Sequence, residues 1–281
     1  MPIFLNRQPG RILPKGKRRV APVRRSRRIA LGLRAAIAAA MGPLIQEVEN
    51  IIPWLQGTAT PAQAAAVLQE LQERWKSAFS VTSRRIGAKL VDEISKEARA
   101  RLEKNLARAI GVDMTKIFDD KTVMDTAEMM SFEAASLIKD IPDVFLEEVR
   151  RAVLSNYQQL PQPEGRSLTE QIQEIIGSTE KRARTIARDQ TSKIHTAINQ
   201  ARQQELGIEE YIWRTAKDRR VVGKPGGKYP EGNTVHGNHY AREGRVFRWD
   251  TPPHDGHPGW AINCRCYHEP VIEVSKLRNV Q

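Results

Sequence analysis

The spacing of apolar residues divides the chain into a long helical stretch and a shorter region of a different kind. Val67, Leu68, Leu71, Trp75, Ala78 and Phe79 recur at three- and four-residue intervals, and the stripe continues through Ile86, Leu90, Ile94, Leu102 and Leu106. That period puts one apolar face on an α-helix. Thr60-Pro61 starts it, with Thr as N-cap and Pro in the first turn, where its missing N–H costs nothing; Gly111 offers a stop. Two further helices are predicted over 124–138 and 144–160, separated near Ile141-Pro142. Leu160-Pro161-Gln162-Pro163-Glu164-Gly165 breaks the pattern and reads as a linker. Ser167 then opens a helix through Ile172 and Ile176 that Gly177 closes. A longer one runs from about Ser178 to Leu206, with Gly207 just past its end. These stripes read as helix-packing surfaces rather than cofactor boxes.

Beyond Gly207 the period changes. Glu210-Tyr211-Ile212-Trp213-Arg214-Thr215, Arg245-Val246-Phe247-Arg248-Trp249 and residues 267–274 are β-type, with Gly- and Pro-rich loops over 223–237 and 252–259. The fold class expected is α+β: a mostly helical N-terminal and central part with long helices, then a small C-terminal module of short β-strands and loops. Trp213, Trp249 and Trp260 are the large anchors such a loop-heavy module needs. The domains expected are a basic, Pro-containing arm (1–40), a helical domain (41–165) and a C-terminal domain (166–281) of long helices followed by the small module.

Charge changes the picture at the N-terminus. The net charge is +12, and residues 1–34 hold eleven bases and no acid, leaving the rest nearly neutral. Arg7, Arg11, Lys15, Lys17, Arg18, Arg19, Arg24, Arg25, Arg27 and Arg28 make up most of this arm, which is broken by four prolines and not expected to fold alone. It would be drawn to a polyanion by counterion release, or dock on protein through Ile3, Phe4, Leu5, Ile12 and Leu13, or serve only as a solvated tail. No apolar run approaches the roughly 20 residues of a membrane span, so no membrane partner or signal peptide is expected. Two cysteines, one residue apart, exclude a disulfide framework. No Gly-rich loop ending in Gly-Lys-Ser/Thr marks a nucleotide site.

Five of the six histidines fall between positions 236 and 268, together with both cysteines. His236, His239, His254, His257, Cys264 and Cys266 are the ligand types of a tetrahedral zinc site, and a structural zinc would help fold a loop-rich module. The spacing is not that of a standard finger, because Cys-x-Cys replaces Cys-x-x-Cys. The alternative is small buried thiols with histidines as loop polar groups, and then no cofactor.

The run Arg182-Ala183-Arg184-Thr185-Ile186-Ala187-Arg188-Asp189-Gln190 continues through Asn199-Gln200-Ala201-Arg202 to Gly207-Ile208. Tyr211-Ile212-Trp213-Arg214-Thr215 and Asp218-Arg219-Arg220-Val221 follow. Then come His239-Tyr240-Ala241-Arg242-Glu243-Gly244, Val246-Phe247, Pro258-Gly259 and Ile262-Asn263-Cys264-Arg265-Cys266. In this order the segments, over roughly 165–272, resemble the phage head-morphogenesis domain of the Mu F-like minor capsid proteins. The motif residues are Trp213, Asp218, Arg219, His239, Gly244, Asn263, Cys264, Arg265 and Cys266. One departure is residues 222–238, a glycine-rich insertion between the Asp-Arg segment and the His.

The resemblance implies a minor capsid protein of a tailed phage that acts in procapsid assembly. Its partners would be the portal protein and the major capsid or scaffolding protein, with packaged DNA met through the arm. Its place would be the virion, in the head interior or portal region, and the host cytoplasm during assembly. On this reading the chain is not an enzyme and has no catalytic residue. The competing classes are a nuclease, with Asp218, His236, His239 and His254 as acid and base and Arg219 as phosphate clamp, and a sequence-independent nucleic-acid-binding protein working through the arm.

Overall fold

The computed structural model describes residues 13, 16–111, 121–158, 165–231 and 237–277. Among the described residues the long helices are α1 (Arg27–Gly57), α2 (Pro61–Ile110), α3 (Lys121–Tyr157) and α4 (Leu168–Glu205). The strands described are short: β1 (Lys17–Arg19), β2 (Glu210–Arg214), β3 (Val246–Arg248) and β4 (Tyr267–Glu273). The fold is α+β, as the pattern predicts.

Local chemistry accounts for the helix starts. Thr60 and Gln63 form a reciprocal capping box, with Gln63 Oε1 accepting the Thr60 N–H at 2.9 Å and Thr60 Oγ1 accepting the Gln63 N–H at 3.3 Å. Ser167 and Glu170 repeat the device on α4, at 2.7 and 3.2 Å. At the far end of α4, Gly207 takes φ 75°, and the N–H of Ile208 returns to the Gln203 carbonyl at 2.8 Å.

Three boundaries differ from the sequence reading. α3 runs unbroken through Pro142, because Ile138, Ile141, Phe145, Leu146 and Val149 are buried on both sides of it and hold the helix against the lost N–H. α4 passes through Gly177 without interruption; that glycine is not among those with positive φ, so it makes no helix stop. The third difference is α1, whose buried residues Ile29, Leu33, Ile37, Met41, Leu44, Val48, Ile52 and Leu55 keep three- and four-residue steps to its end. α1 also contains an 18-residue window of mean hydropathy 1.5, long and apolar enough by length and composition to cross a membrane. This corrects the expectation that no stretch approaches that limit.

The chain forms two compact units, neither of them continuous in sequence. The helical unit comprises Ser26–Glu93 and Glu128–Thr191. Within it Gly87 of α2 lies so close to α3 that a Cβ there would sit 2.7 Å from the Ser131 carbonyl oxygen. Glu47 accepts the Trp75 indole N–H at 2.9 Å and pairs with Arg74. The Tyr157 hydroxyl is shared between the carbonyls of Leu55 and Ala59, at 2.8 and 3.0 Å. These contacts tie α1, α2 and α3 at polar points around an apolar interior.

The sheet unit comprises Met1–Arg25, Ile94–Ala127 and Ser192–Gln281. Its sheet is antiparallel throughout, in the order β1-β4-β2-β3. Tyr211, Trp213, Trp249, Cys264 and Cys266 form its buried cluster, flanked by Phe247 and Ala261. The boundaries at 40 and 165 are therefore not those of the folded units, since α2, α3 and α4 each supply residues to both.

The basic arm is also not simply a tail. Lys17–Arg19 pairs with Val271–Glu273 as an edge strand, and the Val20 N–H continues to the Pro270 carbonyl at 2.9 Å. Val20 and Val23 are buried. The bases segregate from these apolar positions: Lys17 pairs with Glu210 at 2.6 Å, Arg24 lies over the Tyr267 ring at 4.4 Å, and Arg18 is exposed and donates to the Ala109 carbonyl. Arg27 and Arg28 begin α1 behind the Ser26 N-cap. Arg7, Arg11 and Lys15 lie outside the described residues.

Candidate functional site

The C-terminal part of α4 builds one wall of the site. Arg202 is buried and donates to the Ser95 carbonyl and hydroxyl at 2.7 and 2.8 Å. Gln203 Oε1 accepts the Trp249 indole N–H at 3.2 Å, and Thr196 Oγ1 donates to the Pro258 carbonyl at 2.7 Å. Gly259 passes so close that a Cβ there would meet Ser192 Oγ and Thr196 Oγ1 at 2.8 Å, and its φ of 98° suits glycine. This seats the 258–266 loop on the helix. Asn263 turns the loop at φ 59°, a conformation Asn tolerates better than most residues. The Cys264 N–H closes that turn on the Ala261 carbonyl at 2.9 Å.

The turn delivers both thiols to one imidazole. His239 Nδ1 stands 3.6 Å from Cys264 Sγ and 3.5 Å from Cys266 Sγ. All three residues are buried, and their donor atoms lie within 4.8 Å of one another. His239 Nε2 meets Asp255 Oδ2 at 2.8 Å, and Asp255 Oδ1 accepts from Arg242 at 2.6 Å. The carboxylate fixes the ring through Nε2 and turns Nδ1 towards the sulfurs. The Gly259 N–H donates to Cys264 Sγ at 3.4 Å. Trp213 and the His239 ring pack in a T-shaped pair, with centroids 5.2 Å apart, and Arg242 covers the Trp213 ring at 4.8 Å.

The electrostatics follow from these contacts. The Cys266 S–H and the His239 ring hold the Cys264 thiol well below its ordinary range, against the opposing effect of burial. Cys266 is pushed strongly up by its hydrogen bond to Cys264 and by burial. Burial opposes the charged form of His239, but its bonds to Cys264 and Asp255 outweigh that and raise it.

A cavity of about 350 Å³ opens beside the cluster, lined by His239, Cys264 and Cys266 and by Tyr229, Arg220 and Asn263. Arg265 and Arg220 secure its rim. Arg265 grips Asp218 through both guanidinium nitrogens, the longer contact at 2.6 Å, and Asp218 caps the Arg220 N–H at 2.8 Å. These bonds, led by Arg265, hold the Asp218 carboxyl well below the ordinary carboxylate range.

The motif residues thus converge in two neighbouring groups. Asp218 meets Arg265 and Arg220, whereas His239 meets Asp255 and the thiols. Arg219 is exposed and contributes its backbone, which accepts the Lys228 N–H at 2.6 Å. The 222–238 insertion folds on itself where described, with the Gly223 N–H on the Tyr229 carbonyl at 2.8 Å; the Tyr240 N–H on the Val222 carbonyl, at 2.9 Å, brings its two ends together. Gly244 donates its N–H to the Trp213 carbonyl.

Of the six sequence-nominated metal ligands, His239, Cys264 and Cys266 come together. His257 does not join them, because its Nδ1 is engaged by the Tyr211 hydroxyl at 2.9 Å; burial pushes the Tyr211 phenol up. His254 is exposed, and His236 lies outside the described residues. Asp255 and Arg242, which orient His239, were not nominated. The sequence signal for Asp255 is faint: it lies between two histidines in a Gly- and Pro-rich loop.

No family model matches the chain, and no solved structure matches it. The chain is 27% identical over 266 residues to an uncharacterised protein of Haemophilus influenzae, an alignment covering 91% of this chain and 56% of that protein. The chain therefore spans little more than half the length of that relative.

Proposed function

We propose that the chain is a minor capsid, head-morphogenesis protein of a tailed phage, acting in procapsid assembly through the portal and the major capsid or scaffolding protein. The observation that carries the reading is convergence. Trp213, Asp218, His239, Cys264, Arg265 and Cys266 come from three separated segments of the sequence that resemble the Mu F-like domain, and they surround one cluster and its cavity in the sheet unit. Asp218 pairs with Arg265, and His239 meets both thiols, which supports the reading. The exposed bases Arg18 and Arg19 on β1 would favour packaged DNA or an acidic protein.

Quantitative mass spectrometry of purified particles from a phage carrying this gene tests the reading. The expected result is a small, fixed number of copies relative to the major capsid protein, and loss of filled heads when the gene is deleted. Normal yields of infectious particles from the deletion would overturn it.

A further inference from the structure

We propose that His239 Nδ1, Cys264 Sγ and Cys266 Sγ bind one zinc ion, with the fourth coordination position turned towards the adjoining cavity. The inference does not depend on the assembly reading. Zinc binds thiolate sulfur at about 2.3 Å and imidazole nitrogen at about 2.0–2.1 Å, so a tetrahedral angle between them sets sulfur and nitrogen about 3.5–3.6 Å apart. The two separations observed are 3.5 and 3.6 Å. One nitrogen and two sulfurs form a soft set that suits zinc over magnesium or calcium.

The surroundings match what such an ion requires. His239 offers Nδ1 because Asp255 holds the opposite nitrogen at 2.8 Å, and the Asp255 side chain is itself only 2% exposed. This is the carboxylate–imidazole relay commonly found behind metal-bound histidines. Cys264 Sγ already accepts a backbone N–H from Gly259, as a thiolate carrying metal would. Buried thiols that served only as packing would need neither that donor nor an oriented imidazole between them. All three ligands line the cavity, which leaves the fourth place to water or an added ligand.

The test uses the full chain purified under reducing conditions, with its metal measured by plasma mass spectrometry and native mass spectrometry. One zinc per chain is expected. Exchange with cobalt should give a thiolate-to-cobalt charge-transfer band and the intense visible bands of a tetrahedral site, and imidazole should shift the visible bands by entering the open position. Cys264→Ser and Cys266→Ser should each weaken or abolish the charge-transfer band. Because either variant risks misfolding, Asp255→Asn and His254→Ala accompany them, each checked by circular dichroism. Asp255→Asn should weaken cobalt affinity by roughly 10- to 100-fold, whereas His254→Ala should change nothing. A folded wild-type chain with no zinc and no cobalt–thiolate band would overturn the site. Loss of metal in a folded His254→Ala variant, or indifference of the visible bands to imidazole, would overturn this ligand set.

Discussion

His195 shows how a single buried residue couples this fold to pH. Its ring is enclosed in the sheet unit, with Asn199 Nδ2 3.3 Å from Nε2 and the His268 ring 6.3 Å away. Burial, then the charges of Arg101 and Arg25, push its pKa down to about 3. A free imidazole takes up its proton near pH 6.5. Between those values the unfolded chain binds a proton that the folded chain refuses, so this contribution to stability is whole above about pH 6.5 and falls as pH drops towards 3. His268 acts in the same direction, pushed down to about 3 by burial and its histidine neighbours. Urea titrations at about pH 7.5 and about pH 5.5 should therefore show a loss of the order of 1 kcal/mol from His195. A folded His195→Gln variant should lose less stability between the two pH values. An equal loss would mean that His195 takes no part.

At the scale of elements, much was legible and the failures have physical causes. Apolar periodicity gave α2 and most of α4, and β-type runs gave β2, β3 and β4 nearly to the residue. Capping residues marked both starts, because Thr60 and Ser167 each have a side chain three residues on that completes the box. Pro142 and Gly177 misled, because a local preference of a few kcal/mol or less yields to the burial of several large side chains. β1 was hidden for another reason: a strand of three bases has no alternation to read, and its pairing is set by distant β4. In the site, the identities of His239 and the thiols were legible, but which histidine turned inward depended on Asp255 and on the competing Tyr211–His257 bond. The helical course of Gly177 has a measurable consequence. A Cβ there meets nothing within 4 Å, so Gly177→Ala should raise stability by about 0.5–1 kcal/mol. Thermal unfolding at neutral pH decides the point, and a lowered midpoint would place a helix end at Gly177 instead.

At the scale of the whole molecule, the sheet unit is gathered from three separate stretches of sequence. The domain suggested by sequence, 166–281, lacks β1, Val20, Val23 and the part of α2 that supplies Ser95 to Arg202 and Asn105 to the Ala21 carbonyl. Expressed alone, that fragment should fail to bury its tryptophans, giving red-shifted emission and rapid proteolysis where the full chain resists. Native-like emission from the fragment would show that the missing pieces are dispensable. The pairing of β1 with β4 also constrains the order of events in the cell. Lys17–Arg19 is made long before its partners at Val271–Glu273. At a typical synthesis rate, the interval is on the order of tens of seconds. For all of that time β1 has no strand to join, so this sheet is completed only once Val271–Glu273 has emerged, and the nascent chain must be kept from pairing with its neighbours until then.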